Sequence, residues 1–146
     1  IGVVYNPYLD EMFTAERGKG AFLNGRPIHV SRNPLSEGIV LFGTAPYYEE
    51  LSKKSFQMAY AYFKKALDVR RSGSAAIDLC SIAAGRAELY FELRVSPWDF
   101  AAGSWKKPVA LSQRSRAAQS LWGRNVLFLP QTDAVADWSK TLRKEL

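Results

Sequence analysis

The apolar positions in the first third of the chain predict a β-meander. Short apolar runs at residues 2–5 and 12–15 flank the Asn6-Pro7 turn. Asn24-Gly25 is a strong hairpin signal because both residue types tolerate positive φ. Residues 26–31 then alternate as a returning strand would.

From residue 38 onward, strand and helix patterns alternate. The predicted order is a strand at 38–44, a helix at 47–66, a strand at 67–71, a helix at 74–84 and a strand at 87–93. The continuous apolar run at 38–44 is typical of a strand buried on both faces. The first helix is expected to bury Leu51, Phe56, Ala59, Tyr60 and Phe63, and the second Ala76, Leu79, Cys80 and Ala83. The fold class is therefore α/β, a layered domain that begins with a meander.

Composition excludes several classes of protein. With 146 residues and 47% hydrophobic residues, the chain has enough apolar surface for one globular domain and does not have the composition of disorder. No apolar run approaches the roughly 18 residues of a membrane span. The single cysteine, Cys80, excludes an internal disulfide and favours a cytoplasmic location. The single histidine, His29, leaves little room for a His-rich metal site or a Ser-His-Asp triad.

The net charge of +6 is concentrated near the end of the chain. Residues 1–104 carry 12 Lys/Arg and 11 Asp/Glu, whereas residues 105–146 carry 8 Lys/Arg and 3 Asp/Glu. The basic character therefore describes one segment and does not by itself indicate a nucleic-acid partner.

The segment 97–103 is the most informative for chemistry. Asp99 is expected to open a short helix directly after a strand, where backbone on both sides fixes its carboxylate. Such a carboxylate suits a divalent cation that prefers oxygen ligands. For a lone aspartate in that position, an ordinary helix cap is the favoured alternative.

Two further segments carry candidate ligands. Gly73, Ser74 and Ala75 open the second helix and offer N–H groups and a hydroxyl to an anion or a polyol, although an ordinary cap is the favoured alternative there too. Glu92 lies in an otherwise apolar strand, so either it points into the same cleft as Asp99 or it faces solvent. Cys80 is predicted in the core, and His29 at the surface or in packing.

Taken together, these motifs resemble those of the inositol monophosphatase family, in order and in register over residues 1–104. The segments that carry the resemblance are Gly2-Val3-Val4-Tyr5-Asn6-Pro7, Phe13-Thr14-Ala15, Gly18-Lys19-Gly20-Ala21-Phe22-Leu23-Asn24-Gly25, Gly73-Ser74-Ala75-Ala76, Ala83-Ala84-Gly85 and Trp98-Asp99-Phe100-Ala101-Ala102-Gly103.

The resemblance implies a Mg²⁺-dependent phosphomonoesterase with an αβαβα fold. Its substrate would be inositol monophosphate or a similar small polyol or sugar phosphate, attacked by a metal-activated water. Asp99 matches the family carboxylate that binds metal and contacts substrate, and is the candidate catalytic residue. In the family, the segment that matches Gly73, Ser74 and Ala75 lines the substrate hydroxyls. The glutamate that matches Glu92 forms a hydrogen bond to the polyol. The resemblance implies a homodimer for a full-length parent. Neither a nucleic-acid nor a membrane partner is expected, because the excess of basic residues is confined to one segment and no apolar run could span a bilayer.

Two departures from the family pattern shape the expectations. The family carries two further metal motifs upstream, a Gly-Glu-Glu-like and an Asp-Pro-Leu-Asp-Gly-Thr-like stretch, and neither occurs in this sequence. We therefore expect residues 1–146 to be a single, N-terminally truncated domain. With one metal carboxylate of the usual four or so, the chain by itself is expected to be inactive or nearly so.

The second departure begins after Ser104. Read one nucleotide early, the codons from Ser104 onward permit Leu-Glu-Glu-Ala-Gly-Gly-Thr-Val-Thr, which is similar to the family's continuation. A second such stretch is permitted over 124–132. We hypothesise that 105–132 is a frame-shifted translation, followed by a helix at 134–146 with Val135, Trp138 and Leu142 at helical spacing.

Three functional hypotheses follow. The leading one is a piece of a Mg²⁺-dependent phosphatase. The second is a non-catalytic binding protein that retains this part of the fold, and the third takes the basic tail as a nucleic-acid arm.

A strand at 2–5 without a neighbour would leave an exposed sheet edge, which predicts poor solubility or self-association.

Overall fold

A computed structural model describes residues 1–16 and 18–103 together with the backbone of 127–130. These residues form two four-stranded sheets. The first is an antiparallel meander of β1 (Gly2–Asn6), β2 (Glu11–Glu16), β3 (Gly20–Leu23) and β4 (Arg26–Pro27), in that order. The second has the order β6-β5-β7-β8, from β5 (Ile39–Phe42), β6 (Asp68–Arg70), β7 (Leu89–Glu92) and β8 (Leu127–Pro130). The helices are α1 (Glu49–Phe63), α2 (Ala75–Ala83) and α3 (Pro97–Phe100).

The hairpin predicted at Asn24-Gly25 is confirmed. Asn24 and Gly25 have φ values of 48° and 76°, as a tight turn between β3 and β4 requires. The predicted returning strand at 26–31 is too long, since β4 ends at Pro27. Ile28 still donates to the Ala21 carbonyl at 3.0 Å, but β3 begins at Gly20, which is opposite His29 in this register, so the residues after His29 extend past β3.

The second sheet confirms the predicted alternation of strands and helices. β5 lies in the middle and pairs in parallel with β6 on one side and β7 on the other, while β7 pairs antiparallel with β8. Val40, Leu41 and Phe42 are all buried, which confirms the prediction for this strand. One face of the sheet packs against α1 and the other against α2.

The helix predicted at 47–66 is confirmed as α1, but its buried face was predicted wrongly in part. Phe56, Tyr60 and Phe63 are 58%, 64% and 53% exposed. The residues that α1 buries are Ser55, Met58, Ala59 and Tyr62. Apolar residues at helical spacing occur on both sides of this helix, so the spacing alone does not decide which side meets β5.

α2 begins and ends where the sequence predicted. The Ser74 side chain accepts a hydrogen bond from the Ile77 amide at 3.4 Å, and Gly85 follows the helix with φ 70°. The buried residues of α2 are Asp78, Leu79, Cys80 and Ile82, so Ala76 and Ala83 of the predicted face are only half-buried.

β1 forms an edge of the first sheet. Within the described ranges it pairs with β2 alone, and Ile1, Val3 and Tyr5 are 76%, 51% and 48% exposed. This agrees with the exposed edge expected from the sequence. No helix in the described part of the chain is long and apolar enough to cross a bilayer.

The predictions for the end of the chain lie largely outside the described residues. Neither the proposed frame-shifted segment 105–132, apart from the β8 backbone, nor the helix at 134–146 is described.

Candidate functional site

The candidate site lies at the edge of the second sheet where the parallel strands β5 and β7 end. Ligand sites in α/β proteins form outside the carboxyl ends of parallel strands. Gly43 directly follows β5, and Glu92 is the last residue of β7. Besides burial, the negative charges of Glu92, Asp78 and Asp99 all raise the pKa of the Tyr90 hydroxyl on β7. These three carboxylates therefore lie in one region around Tyr90.

Glu92 is not the freely exposed residue that one of the two alternatives describes. It is half-buried, and the Tyr90 hydroxyl donates to its Oε2 atom at 2.5 Å. A Cβ at Gly43 would lie 2.1 Å from the Glu92 carboxyl carbon, so the carboxylate occupies the space that a side chain at 43 would fill.

The sequence predicted that Asp99 opens α3, but Asp99 lies within the first turn of the helix. The helix begins at Pro97 with Ser96 as its N-cap, because proline is favoured in the first turn and serine before it. The Asp99 Oδ2 atom accepts from the Ser96 amide at 2.8 Å. This bond fixes the half-buried carboxylate through one of its two oxygens.

Gly73, Ser74 and Ala75 precede and begin α2. Gly73 has φ 91° and is exposed, and the Ser74 amide donates to the Ser72 Oγ atom at 3.1 Å. The Ser74 hydroxyl caps the helix, as the alternative interpretation of this residue predicted.

Asp78 is a site residue that the sequence reasoning missed. It is 2% exposed, and burial, together with the negative charge of Glu92, raises the pKa of its carboxyl to about 6, against the lowering effect of Ser72 and Arg71. The available signal was an acid on the otherwise apolar helix that follows the Ser74 cap.

Tyr90 was also missed. Burial and the nearby Glu92 carboxylate raise the pKa of its phenol far above the ordinary value, so the hydroxyl remains a donor. Its signal in the sequence was its position two residues before Glu92, on the same face of the strand.

A complete metal site is not present among residues 1–16 and 18–103. No three His, Cys, Asp or Glu side chains in these ranges are grouped so that they can hold a metal ion. Asp99 nevertheless has the donor chemistry of one ligand to a hard cation, since its carboxylate is held through Oδ2 by the capping bond and carries a second oxygen. Cys80 is buried with its thiol pKa raised to about 12, as expected of a core residue, and His29 is exposed.

Similar proteins extend this picture. Nus factor SuhB of Vibrio cholerae is 44% identical over 104 residues, which cover 70% of this chain and 39% of that protein. The chain thus spans well under half the length of this curated relative.

Solved structures share the fold. Inositol monophosphatase from Anabaena (Nostoc) sp. PCC 7120 superposes with a TM-score of 0.80 at 30% identity, covering 99% of this chain and 58% of the other. The extragenic suppressor protein suhB from Bartonella henselae gives a TM-score of 0.80 at 27% identity, covering 99% and 57%. The sequence pattern of the inositol monophosphatase family matches residues 1–105. With its α/β fold and this match over most of its length, the chain belongs to the inositol monophosphatase family.

Proposed function

We propose that this chain supplies part of the active site of a Mg²⁺-dependent phosphomonoesterase that acts on inositol monophosphate or a similar small polyol or sugar phosphate. The observation that carries the proposal is the grouping of Glu92, Asp99 and Tyr90 at the end of β7, in a chain whose structural relative is named an inositol monophosphatase. Residues 1–104 would form the family-like part of a single domain.

Each candidate residue has a distinct task in this proposal. Asp99 would supply one carboxylate oxygen to Mg²⁺, and the other ligands would come from outside the described residues. When bound, Mg²⁺ neutralises phosphate charge and makes water more acidic. Glu92 accepts a hydrogen bond from a substrate hydroxyl, and Gly73, Ser74 and Ala75 line the polyol.

The experiment measures both binding and turnover on the purified chain. Binding of myo-inositol 1-phosphate is measured by calorimetry with and without Mg²⁺, alongside phosphate release. We expect Mg²⁺-dependent binding with little or no turnover, since Asp99 alone orients the cation poorly. Asp99→Asn should weaken the binding about tenfold or more, because it removes the anionic ligand.

The control is Glu37→Gln, which removes one negative charge from an exposed residue of a short 3-10 helix. It should bind as the unmutated chain does. Binding that is independent of Mg²⁺, or that Asp99→Asn leaves unchanged, would contradict the proposal.

A second candidate function is a non-catalytic role in transcription. The observation in its favour is the 44% identity to a protein named Nus factor SuhB. Salt-dependent retention of RNA or DNA by the chain, lost on deletion of 105–132, would support this function through the basic segment. Retention unaffected by the deletion would place the contact elsewhere.

A further inference from the structure

Two glutamates of the β7 segment lie over two glycines of the neighbouring β5 segment. Glu88 precedes β7 and Glu92 ends it, four residues apart and therefore on the same face of the strand. A Cβ at Gly38 would lie 2.1 Å from the Glu88 Oε2 atom, and one at Gly43 would lie 2.1 Å from the Glu92 carboxyl carbon. Each carboxylate thus fills the place of a missing side chain.

The two glutamates use that place differently. The Glu88 Oε2 atom accepts from the backbone amide of Ile39 at 2.6 Å, and Glu88 is 6% exposed. Its carboxylate therefore satisfies a buried backbone donor, which is a structural task.

Glu92 lies at the opposite end of the strand pair, where the candidate site is. Its Oε2 atom accepts the short hydrogen bond from the Tyr90 hydroxyl. The Gly43 amide donates to the Phe91 carbonyl at 2.9 Å, which ties the glycine backbone to β7 directly beside Glu92. Glu92 is only half-buried, so part of its side chain stays accessible at this end of the sheet.

We propose that Tyr90 and Gly43 are positioning residues that hold Glu92 for a substrate hydroxyl and so set a preference for polyol phosphates over phosphate alone. This rests on the proposed function. A glutamate has three rotatable side-chain bonds, and fixing it before binding removes an entropic cost that binding would otherwise bear. A hydrogen bond from a hydroxyl to a carboxylate is stronger than one between two neutral groups, so the Tyr90 hydroxyl alone can hold the Glu92 carboxylate in place.

Gly43 contributes because it has no side chain, which leaves room for the Glu92 carboxylate. A side chain at 43 would displace the Glu92 carboxylate, which is the mobile end of its side chain, and would leave the strand backbone in place. Gly43→Ala therefore tests the position of the carboxylate with little expected effect on folding. Tyr90→Phe removes the other support, the hydroxyl donor, without changing the ring.

Two matched controls exist, one just before β5 and one on α1, which packs against the same sheet. Gly38→Ala displaces the Glu88 carboxylate in the same way, at the end of the strand remote from the site. Tyr62→Phe removes a buried hydroxyl that has no hydrogen-bond partner among the described residues. Both perturb the packing of the sheet as the test variants do.

The experiment measures, in Mg²⁺, the dissociation constants of myo-inositol 1-phosphate and inorganic phosphate for the full chain and the four variants. Tyr90→Phe and Gly43→Ala should each reduce the preference for the inositol ester about five- to tenfold, in the range of a lost hydrogen bond to a charged group. Gly38→Ala and Tyr62→Phe should leave it within twofold. A slowly exchanging Tyr90 hydroxyl proton in the NMR spectrum should disappear in Gly43→Ala and persist in Gly38→Ala.

The outcomes separate the two proposals. If the unmutated chain prefers the inositol ester but Tyr90→Phe and Gly43→Ala preserve that preference, the positioning role is wrong and the proposed function stands. If all four variants lose the preference equally, the effect is general packing and the positioning role is again wrong. If the unmutated chain shows no preference, the proposed function fails first and the positioning role with it.

Discussion

Arg86 and Glu11 form a two-pronged ion pair between residues 75 positions apart in the chain. The Arg86 Nη1 and Nη2 atoms donate to Glu11 Oε2 and Oε1 at 3.0 and 2.6 Å. Glu11 belongs to β2 of the first sheet. Arg86 lies in the connection between α2 and β7, and β7 belongs to the second sheet. The guanidinium also lies 5.9 Å from the centre of the Phe13 ring. This pair therefore joins the meander to the layer that carries the candidate site.

Arg86→Ala should lower the free energy of unfolding by about 1–2 kcal/mol, because a bidentate pair with a mostly covered carboxylate is stronger than an ordinary surface pair. The measurement is urea unfolding followed by circular dichroism. Lys19→Ala is the control, since Lys19 and Glu16 form an exposed pair and its loss should change stability little. Equal effects of the two substitutions would contradict the joining role of Arg86.

The same ion pair predicts a pH dependence. The Arg86 guanidinium holds the pKa of the Glu11 carboxyl below its ordinary value. A lowered pKa means that the unfolded chain binds the proton more readily, so this stability is present above the ordinary glutamate pKa and is lost as pH falls through the folded value. Arg86→Ala should flatten this part of the stability profile. If the free energy of unfolding falls at low pH in the same way with and without Arg86, the ion pair does not stabilise the Glu11 carboxylate.

Asp78 should act in the opposite direction. Its pKa of about 6 lies above the ordinary aspartate value, so the folded chain binds the proton more tightly and stability falls as pH rises from about 4 through 6. Asp78→Asn should therefore stabilise the chain at pH 8 by up to about 3 kcal/mol and have a much smaller effect at pH 4. Unfolding free energies at the two pH values make the comparison. A stabilisation of equal size at both would contradict a buried, titrating carboxyl.

Asn24→Ala should cost about 2 kcal/mol of stability. Asn24 adopts φ 48°, its Oδ1 atom accepts from the Met12 amide at 2.7 Å, and its Nδ2 atom donates to the Asp10 carbonyl at 2.9 Å. Asn33→Ala is a suitable control because Asn33 is exposed and outside the turn. Thermal unfolding of both variants gives the comparison, and a neutral Asn24→Ala would show that the backbone turn forms without the side-chain bonds.

Gly85→Ala should destabilise the chain more than Gly18→Ala. Both glycines have positive φ, 70° and 83°, which costs about 1 kcal/mol for alanine. At Gly85 the added Cβ would also lie 2.8 Å from the His29 carbonyl oxygen, whereas nothing lies within 4 Å at Gly18. The excess cost at Gly85 measures the close approach of the 29–31 segment to the end of α2. Equal costs would mean that this segment moves away freely.

The sequence by itself determined the order of the elements from β1 to β7 and the positions of most of their turns and caps. The hairpin at Asn24, the cap at Ser74 and the glycine after α2 depend on the backbone preferences of neighbouring residues, so a short stretch of sequence contains the whole cause. The family motifs identified Asp99 and Glu92 as candidates in the same local way. The α/β class follows from the alternation of these locally specified elements.

Only the tertiary structure decided which groups meet. α1 presents apolar residues on two sides, and contact with β5 selected Met58 and Tyr62 over Phe56 and Tyr60. The support of Glu92 by Tyr90 and Gly43, and the raised pKa of Asp78, depend on strands and helices far apart in sequence. Burial and charge proximity are properties of distance in space, and spacing along the chain fixes such distances only within one helix or strand.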